Sequence, residues 1–543
     1  MKDHLAKIII VSLLAVIVGL PVVLRTADDK DAPVFDEKTQ RLVIYTPHNE
    51  QIRYELEHAF NHWRAQQKLP AVEFDWRSPG GTSDIRKGIL SQYQAIIDRS
   101  PGSNKTLGEN LDQGIGADLF FGGGDYDHSK TAQGIEDQSD STRRFRIVDD
   151  PQIPPELFTA AFPESHIGGE PLYRRYTFAR LDEHGERVEY NILGWTGVTL
   201  SSFGIVYNQD TLDHDLKGEI DRPQTWADLT DPRLQGWVAL ADPSHSGSIT
   251  QTFNTILRRE GWNEGWATLR RVYANARYFA SSSDRVPADV SHGEAAMGMC
   301  IDFYGRYQSG SVGGGRMSYV DPIEHGKSMT ATTADPITLL RGAPHKALAQ
   351  EFIAWLLSEE AQSLWQRGVG DGSDALVRPD KFELRRQPIR ADMYTDDQRA
   401  SWVDGQLNPF ASAVPYPENT PNYFGMVATI TQAMAIDSHD DLVAAWRALD
   451  HARRVGHPNL AQMQRLFDAM PDELVLAWPD EDLADHWRQA HYDPAHPRHG
   501  EVCQTLADFA EQMPKGKNEL EANRLVWRSF FQQNYRKIVE LGR

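Results

Sequence analysis

Two short stretches of this chain place hydroxyls and glycine where a strand-like run gives way to a helical one. In "ADPSHSGSIT", residues 241–250, Ser244, Ser246, Gly247 and Ser248 stand just before a helical pattern over 249–259. In "SSSDRVPADV", residues 281–290, Ser282 and Ser283 hold the same place before a second helix, with Pro287 suited to its first turn and Gly293 to its stop. The first turn of a helix leaves four N–H groups without partners, and the aligned peptide dipoles add partial positive charge there. Serine hydroxyls donate further bonds, and glycine admits close backbone approach. Such a turn can cradle phosphate, sulfate or carboxylate without a cationic side chain. Each serine also serves as a plain N-cap, so one such turn decides nothing. Two in one α/β unit fall at the same end of its sheet, where ligands bind in such folds.

Two further strand ends carry residues of interest. "GGGD" puts Gly122, Gly123 and Gly124 after an apolar strand, as a loop entry or as a place of close backbone approach. "YTPHNE" puts His48, Asn49 and Glu50 after another. Catalytic templates fail: the chain has no G-x-S-x-G elbow and no H-E-x-x-H. "HGKS" at 325–328 lacks the first glycine of a phosphate loop, since Asp321 stands there. His58 and His62 are four apart on a helix with no third ligand in view. The expectation is a protein that is not an enzyme, with no cofactor and no resident metal.

The elements that must position these residues read as α/β. A strand over 42–45 precedes a helix with Ile52, Leu56, Ala59, Phe60 and Trp63 at helical spacing, capped by Thr46 or Asn49. "VEFDWRS" is a second strand, 83–98 a second helix, and "ADLFFGGGD" a third strand. This β-α-β-α-β order suits a sheet with helices on both faces. Residues 125–190 are polar and rich in turn formers, and read as a surface insertion. "GVTLSSFGIVYN" is β-like again; helices at 249–259 and 263–274 and a strand near 276–280 follow. Residues 347–365 read as one amphipathic helix. From about 420 the pattern is helical, ending in Trp527, Phe530, Phe531, Tyr535, Ile538 and Leu541, a stripe suited to core packing.

The 543 residues allow two or three domains. A net charge of −21 with no basic run argues against nucleic acid as a partner. Two cysteines, Cys300 and Cys503, are too few for a disulfide scaffold; Cys300 lies in an apolar run and is expected as a buried thiol. Lys2 and Lys7 precede the apolar run 8–24, which reads as an uncleaved signal-anchor or a cleaved signal peptide. Either implies that the remainder works outside the cytoplasm, in the periplasm or a like compartment.

The order of these pieces resembles the extracytoplasmic solute-binding proteins of ABC importers, and within them the branch of the ferric-ion-binding proteins. The resemblance rests on "LVIYTPHNE", "GADLFFGGG", "LSSFGIVYNQDTL", "ADPSHSGS", "FASSSD", "GEAAMGMCIDFY" and "TADPITLLRGAPHKALAQEFIAWLLSEEAQSLW", over about 42–395. It implies a type II periplasmic-binding clamshell, with lobe 1 (41–209 with the insertion 125–190, and 326–420) and lobe 2 (210–325); outside the resemblance stand the N-terminal membrane segment, a signal-anchor or signal peptide (1–25), a linker (26–40) and a helical C-terminal extension (421–543). It also implies a cleft between lobes that closes like a hinge. In the iron branch two adjacent tyrosines, a histidine and an acid hold the metal. Here the tyrosine pair reads Phe303-Tyr304, after Asp302, and the acid position falls within Gly122 to Gly124, while His48 stands one residue out of register. The iron set is broken and the anion cradle stands. The expected function is capture of a small anionic solute, by a monomer, for an ABC permease. A ferric-iron carrier and a ligand sensor for a membrane signalling partner are the alternatives.

Overall fold

The computed structural model describes residues 39–99, 104–137, 140–181, 187–313, 315–370, 377–514 and 516–543. The apolar run 8–24, expected as a membrane segment, lies outside them. Among the described residues no helix is long and apolar enough to cross a membrane.

Leu42, Val43 and Ile44 are consecutive and all buried, as befits a parallel strand covered on both faces. Their strand, Gln40–Tyr45, pairs in parallel with Val72–Arg77 and Leu119–Phe121. Thr333–Leu340 and Arg187–Ser201 extend the same sheet in antiparallel fashion, and Gln387–Pro388 closes its edge. A second, five-stranded sheet runs Ala276–Ala280, Val238–Ala241, Met297–Ile301, Phe203–Asn208, Met317–Val320. Each sheet has its own hydrophobic core. The chain passes from the first sheet to the second through Ser202 alone, between Ser201 and Phe203, and returns through 321–332. The two crossings are tied together: the Ser202 hydroxyl donates to Asp321 Oδ1 at 2.6 Å.

The helices from Phe424 to Leu541 are part of the second core. Trp446 donates its indole N–H to Asn275 Oδ1 at 2.9 Å, and Trp262 donates to the Leu474 carbonyl at 2.8 Å. Arg270, fully buried, points its guanidinium at the Phe467 carbonyl and the sulfurs of Met434 and Met470. Trp527, Phe531, Tyr535 and Ile538 have no exposed surface, so that stripe is core. Cys300 is a buried free thiol.

Two local expectations change. Residues 125–190 are not a mere surface insertion: helix Asp125–Ala132 buries Asp127, His128, Ser129, Thr131 and Ala132, Val148–Asp149 pairs with Thr333–Leu340, and Tyr173–Leu181 pairs with Arg187–Ser201. Their polarity conceals this because the polar groups are paired. Asp127 meets Arg86 at 2.5 Å, and His128 lies 2.8 Å from the Thr338 hydroxyl. The single helix expected over 347–365 is two, Lys346–Leu356 and Glu359–Ser363. Ser358 makes the break, accepting from Ala361 N–H while its hydroxyl donates to the Trp355 carbonyl.

Candidate functional site

Five helices begin at one cleft between the two sheets, and each follows the carboxyl end of a strand. From the first half come Glu50–Gln66, Thr82–Asp98 and Asp125–Ala132; from the second come Gly247–Glu260 and Asp302–Val312. Their capping residues, Asn49, Gly81, Gly124, Ser246 and Ile301, all line the cleft, whose volume is about 710 Å³. Asn49 and Ser246 satisfy one N–H each, at Ile52 (3.1 Å) and Ile249 (3.3 Å). Gly81, Gly124 and Ile301 make no side-chain cap. First-turn donors and positive dipole ends therefore face the cleft from both sides.

The two serine turns meet. Strands Val238–Ala241 and Ala276–Ala280 are parallel neighbours, so their carboxyl ends lie side by side. Ser246 Oγ is 3.1 Å from Ser248 Oγ, and Ser248 Oγ donates to Ser283 Oγ at 3.2 Å. Ser246, Gly247, Ser248, Ser282 and Ser283 all line the cleft. Ser282 is turned toward Asp284, to which its hydroxyl donates.

Gly123 and Gly124 line the cleft, but Gly122 lies behind it, donating its N–H to the Pro336 carbonyl at 2.8 Å. A Cβ on Gly122 would sit 2.5 Å from His48 Nε2, and one on Gly123 would sit 2.2 Å from Thr82 Cγ2. Both have positive φ, +93° and +99°. The close approach is to side chains that line the cleft.

His48 lines the cleft with only 4% exposure. Its Nε2 is 2.9 Å from Asp335 Oδ2 and 3.1 Å from Arg386 Nη1, and Arg386 also ion-pairs with Asp335. Burial depresses the His48 pKa, so the imidazole is held neutral despite Asp335. Burial would raise Asp335, but Arg386 and His48 outweigh it and hold the carboxyl at about 2. Phe303 and Tyr304 form part of the wall, with the Arg386 guanidinium 4.3 Å over the Phe303 ring. Burial pushes the Tyr304 phenol up, away from phenolate. Asp302, expected at the site, is instead behind it. It is 1% exposed, its N–H donates to the Ser202 carbonyl, and burial raises its carboxyl to about 7.

The reading from sequence missed Gly81, Thr82, Arg53, Ser201, Asp335 and Arg386. All but Arg386 line the cleft. "SPGGTS", between a strand and a helix, carries the same signal as the serine turns and marks Gly81 and Thr82. A lone acid in the buried run "TTADPITLL" marks Asp335. Nothing local distinguishes Arg386 within "ELRRQPIR". Arg53 also lines the cleft, a cationic side chain in addition to the neutral donors of the serine turns. Among the described residues no group of three or more His, Cys, Asp or Glu could hold a metal ion.

Residues 180–387 match the family described as bacterial extracellular solute-binding protein, which bears out that resemblance over this part of the chain. An uncharacterized protein of Haemophilus influenzae is 31% identical over 194 residues, 33% of this chain and 54% of that protein. The phosphoglycerate transport regulatory protein of Salmonella typhimurium is 26% identical over 169 residues, 31% of this chain and 39% of that protein. The chain thus spans about half or less of the length of these curated relatives. Among solved structures, the fructose-6-phosphate-bound periplasmic binding protein AfuA of Actinobacillus pleuropneumoniae is similar at 15% identity and a TM-score of 0.47, covering 75% of this chain and 97% of that one.

Proposed function

We propose that this protein captures a small anionic solute, a phosphate ester or comparable oxyanion, in the cleft between its two halves. It then delivers the solute to an ABC-type permease outside the cytoplasm. The observation that carries this reading is the convergence of five helix N-termini on one cleft, three of them without a side-chain cap. Buried anions demand several donors, and charge-assisted hydrogen bonds of roughly 1.5–3 kcal/mol each offset the loss of hydration. Ser246, Gly247, Ser248 and Ser283 supply the second half's share; His48, Asn49, Gly123, Gly124 and Arg53 face them from the first. The phosphoglycerate in the name of the Salmonella relative fits an organophosphate. A cleft of about 710 Å³ is within the range of small-molecule sites, roughly 300–1,000 Å³.

Native mass spectrometry of the purified chain, followed by calorimetric titration with 3-phosphoglycerate and inorganic phosphate, tests this. A bound organophosphate, and affinity reduced about tenfold or more by Ser248→Ala with Ser283→Ala, is the expected result. Ferric iron with a colour that Tyr304→Phe abolishes would replace the anion reading with the iron one.

A further inference from the structure

We infer that Asp335, with His48, forms a second subsite in this cleft that receives hydrogen-bond donors of the solute. The protein therefore selects a hydroxyl-bearing phosphate ester over an alkyl phosphate of the same size. This inference rests on the anionic-solute reading above and adds to it what the rest of the solute must carry.

Asp335 is 4% exposed and lines the cleft from strand Thr333–Leu340. Its Oδ2 is committed to His48 Nε2 and Arg386. Its Oδ1, equally buried, makes no hydrogen bond with any described residue, and neither does His48 Nδ1. Buried polar atoms in folded proteins are nearly always paired, and an orphan at a binding site calls for a partner that the ligand can supply. The chemistry of that partner is constrained. With Arg386 and His48 holding it ionised, Asp335 is an acceptor only, so what meets Oδ1 must donate. An alkyl chain offers nothing there, whereas a polyol hydroxyl does.

The placement also explains how an anion tolerates a carboxylate in its own cleft. Arg386 is fully buried behind Asp335, fixed by its bond to Ser201 Oγ at 2.8 Å and by the Phe303 ring. The ion pair is neutral as a unit and presents a local acceptor without a net negative field. Removing one partner would leave the other charge buried and uncompensated, so the tests include removing both.

Calorimetric titration of the full chain with sn-glycerol 3-phosphate and n-propyl phosphate separates the subsites. The two probes share the phosphate and chain length and differ in two hydroxyls. The wild type is expected to prefer glycerol 3-phosphate by at least about tenfold, because a site built to pair a hydroxyl is left unpaired by its analogue. Asp335→Leu removes the acceptor and should bring that ratio to within about twofold; the ratio is the readout, because the Arg386 charge left unpaired acts on both phosphates alike. If that variant does not fold, Asp335→Leu combined with Arg386→Gln removes both charges and the acceptor, and should give the same ratio. Equal wild-type affinities for the two esters, or a ratio preserved in the variants, would overturn the subsite and leave the anion reading intact. Failure of both esters and of inorganic phosphate to bind would remove the anion reading and this inference together.

Discussion

Gly81 and the carbonyl oxygen of His245 touch across the cleft: a methyl built on Gly81 would lie 2.0 Å from that oxygen. Gly81 belongs to the first half and His245 to the second, and the contact is reinforced by His245 Nδ1 at 3.3 Å from Asp84 Oδ2. The two halves therefore meet at the mouth of the cleft through an atom-sized allowance that only glycine gives.

Gly81→Ala follows directly. Its φ of −70° suits any residue, so the substitution acts through the clash and not through backbone strain. The halves must separate by an ångström or more to admit the methyl. The expected result is a larger radius of gyration by solution scattering in the presence of 3-phosphoglycerate. Affinity for that probe should fall about tenfold, with thermal stability of the free protein little changed. Unaltered affinity would show that closure at Gly81 plays no part in binding.

Asp302 gives a pH-dependent prediction. Burial raises its carboxyl from 3.8 to about 7, with Arg306 and Arg386 opposing and Asp321 assisting. The folded state then binds more protons than the unfolded one between these values, so stability falls as pH rises through that window, and the cost is fully present above it. Asp302→Asn is expected to raise the melting temperature at pH 8 by at least about 2 °C and to change it little at pH 4. An equal shift at both pH values would assign the effect to packing.

Trp446 tests whether the C-terminal helices belong to the binding half. It is 1% exposed, stacks on Phe467, and donates to Asn275, whose own amide donates to the Leu229 and Asp231 carbonyls. Trp446→Ala is expected to cost about 3–5 kcal/mol in urea unfolding. Affinity for 3-phosphoglycerate should be lost in that same transition. Binding that outlasts it would make the extension an independent module.

Much of the α/β order was legible in the sequence. The 3.6-residue spacing of Ile52, Leu56, Ala59 and Phe60 and the unbroken run Leu42, Val43, Ile44 are local signals, and the structure shows the matching helix and strand. The serine turns were legible for the same reason, since capping chemistry is decided within four residues. The helix Asp125–Ala132 was not, because Asp127 and His128 look solvated until Arg86, Ser83 and Thr338 are seen to pair with them. Asp302 was misplaced because it directly precedes two wall residues in sequence, while it is itself buried and absent from the cleft lining.

By itself the sequence determined which segments end strands in donor-rich turns, and hence that several helices begin there. Their convergence was a tertiary decision. It took the parallel pairing of Val238–Ala241 with Ala276–Ala280 to bring Ser248 to Ser283. It took the crossing at Ser202 to set the two sheets' carboxyl ends against one another. The His48–Asp335–Arg386 cluster spans 338 residues of chain, and electrostatic pairing over that separation leaves no trace in spacing or periodicity. Short-range hydrogen bonding is written in neighbouring residues; the field inside a cleft is written only where distant ones meet.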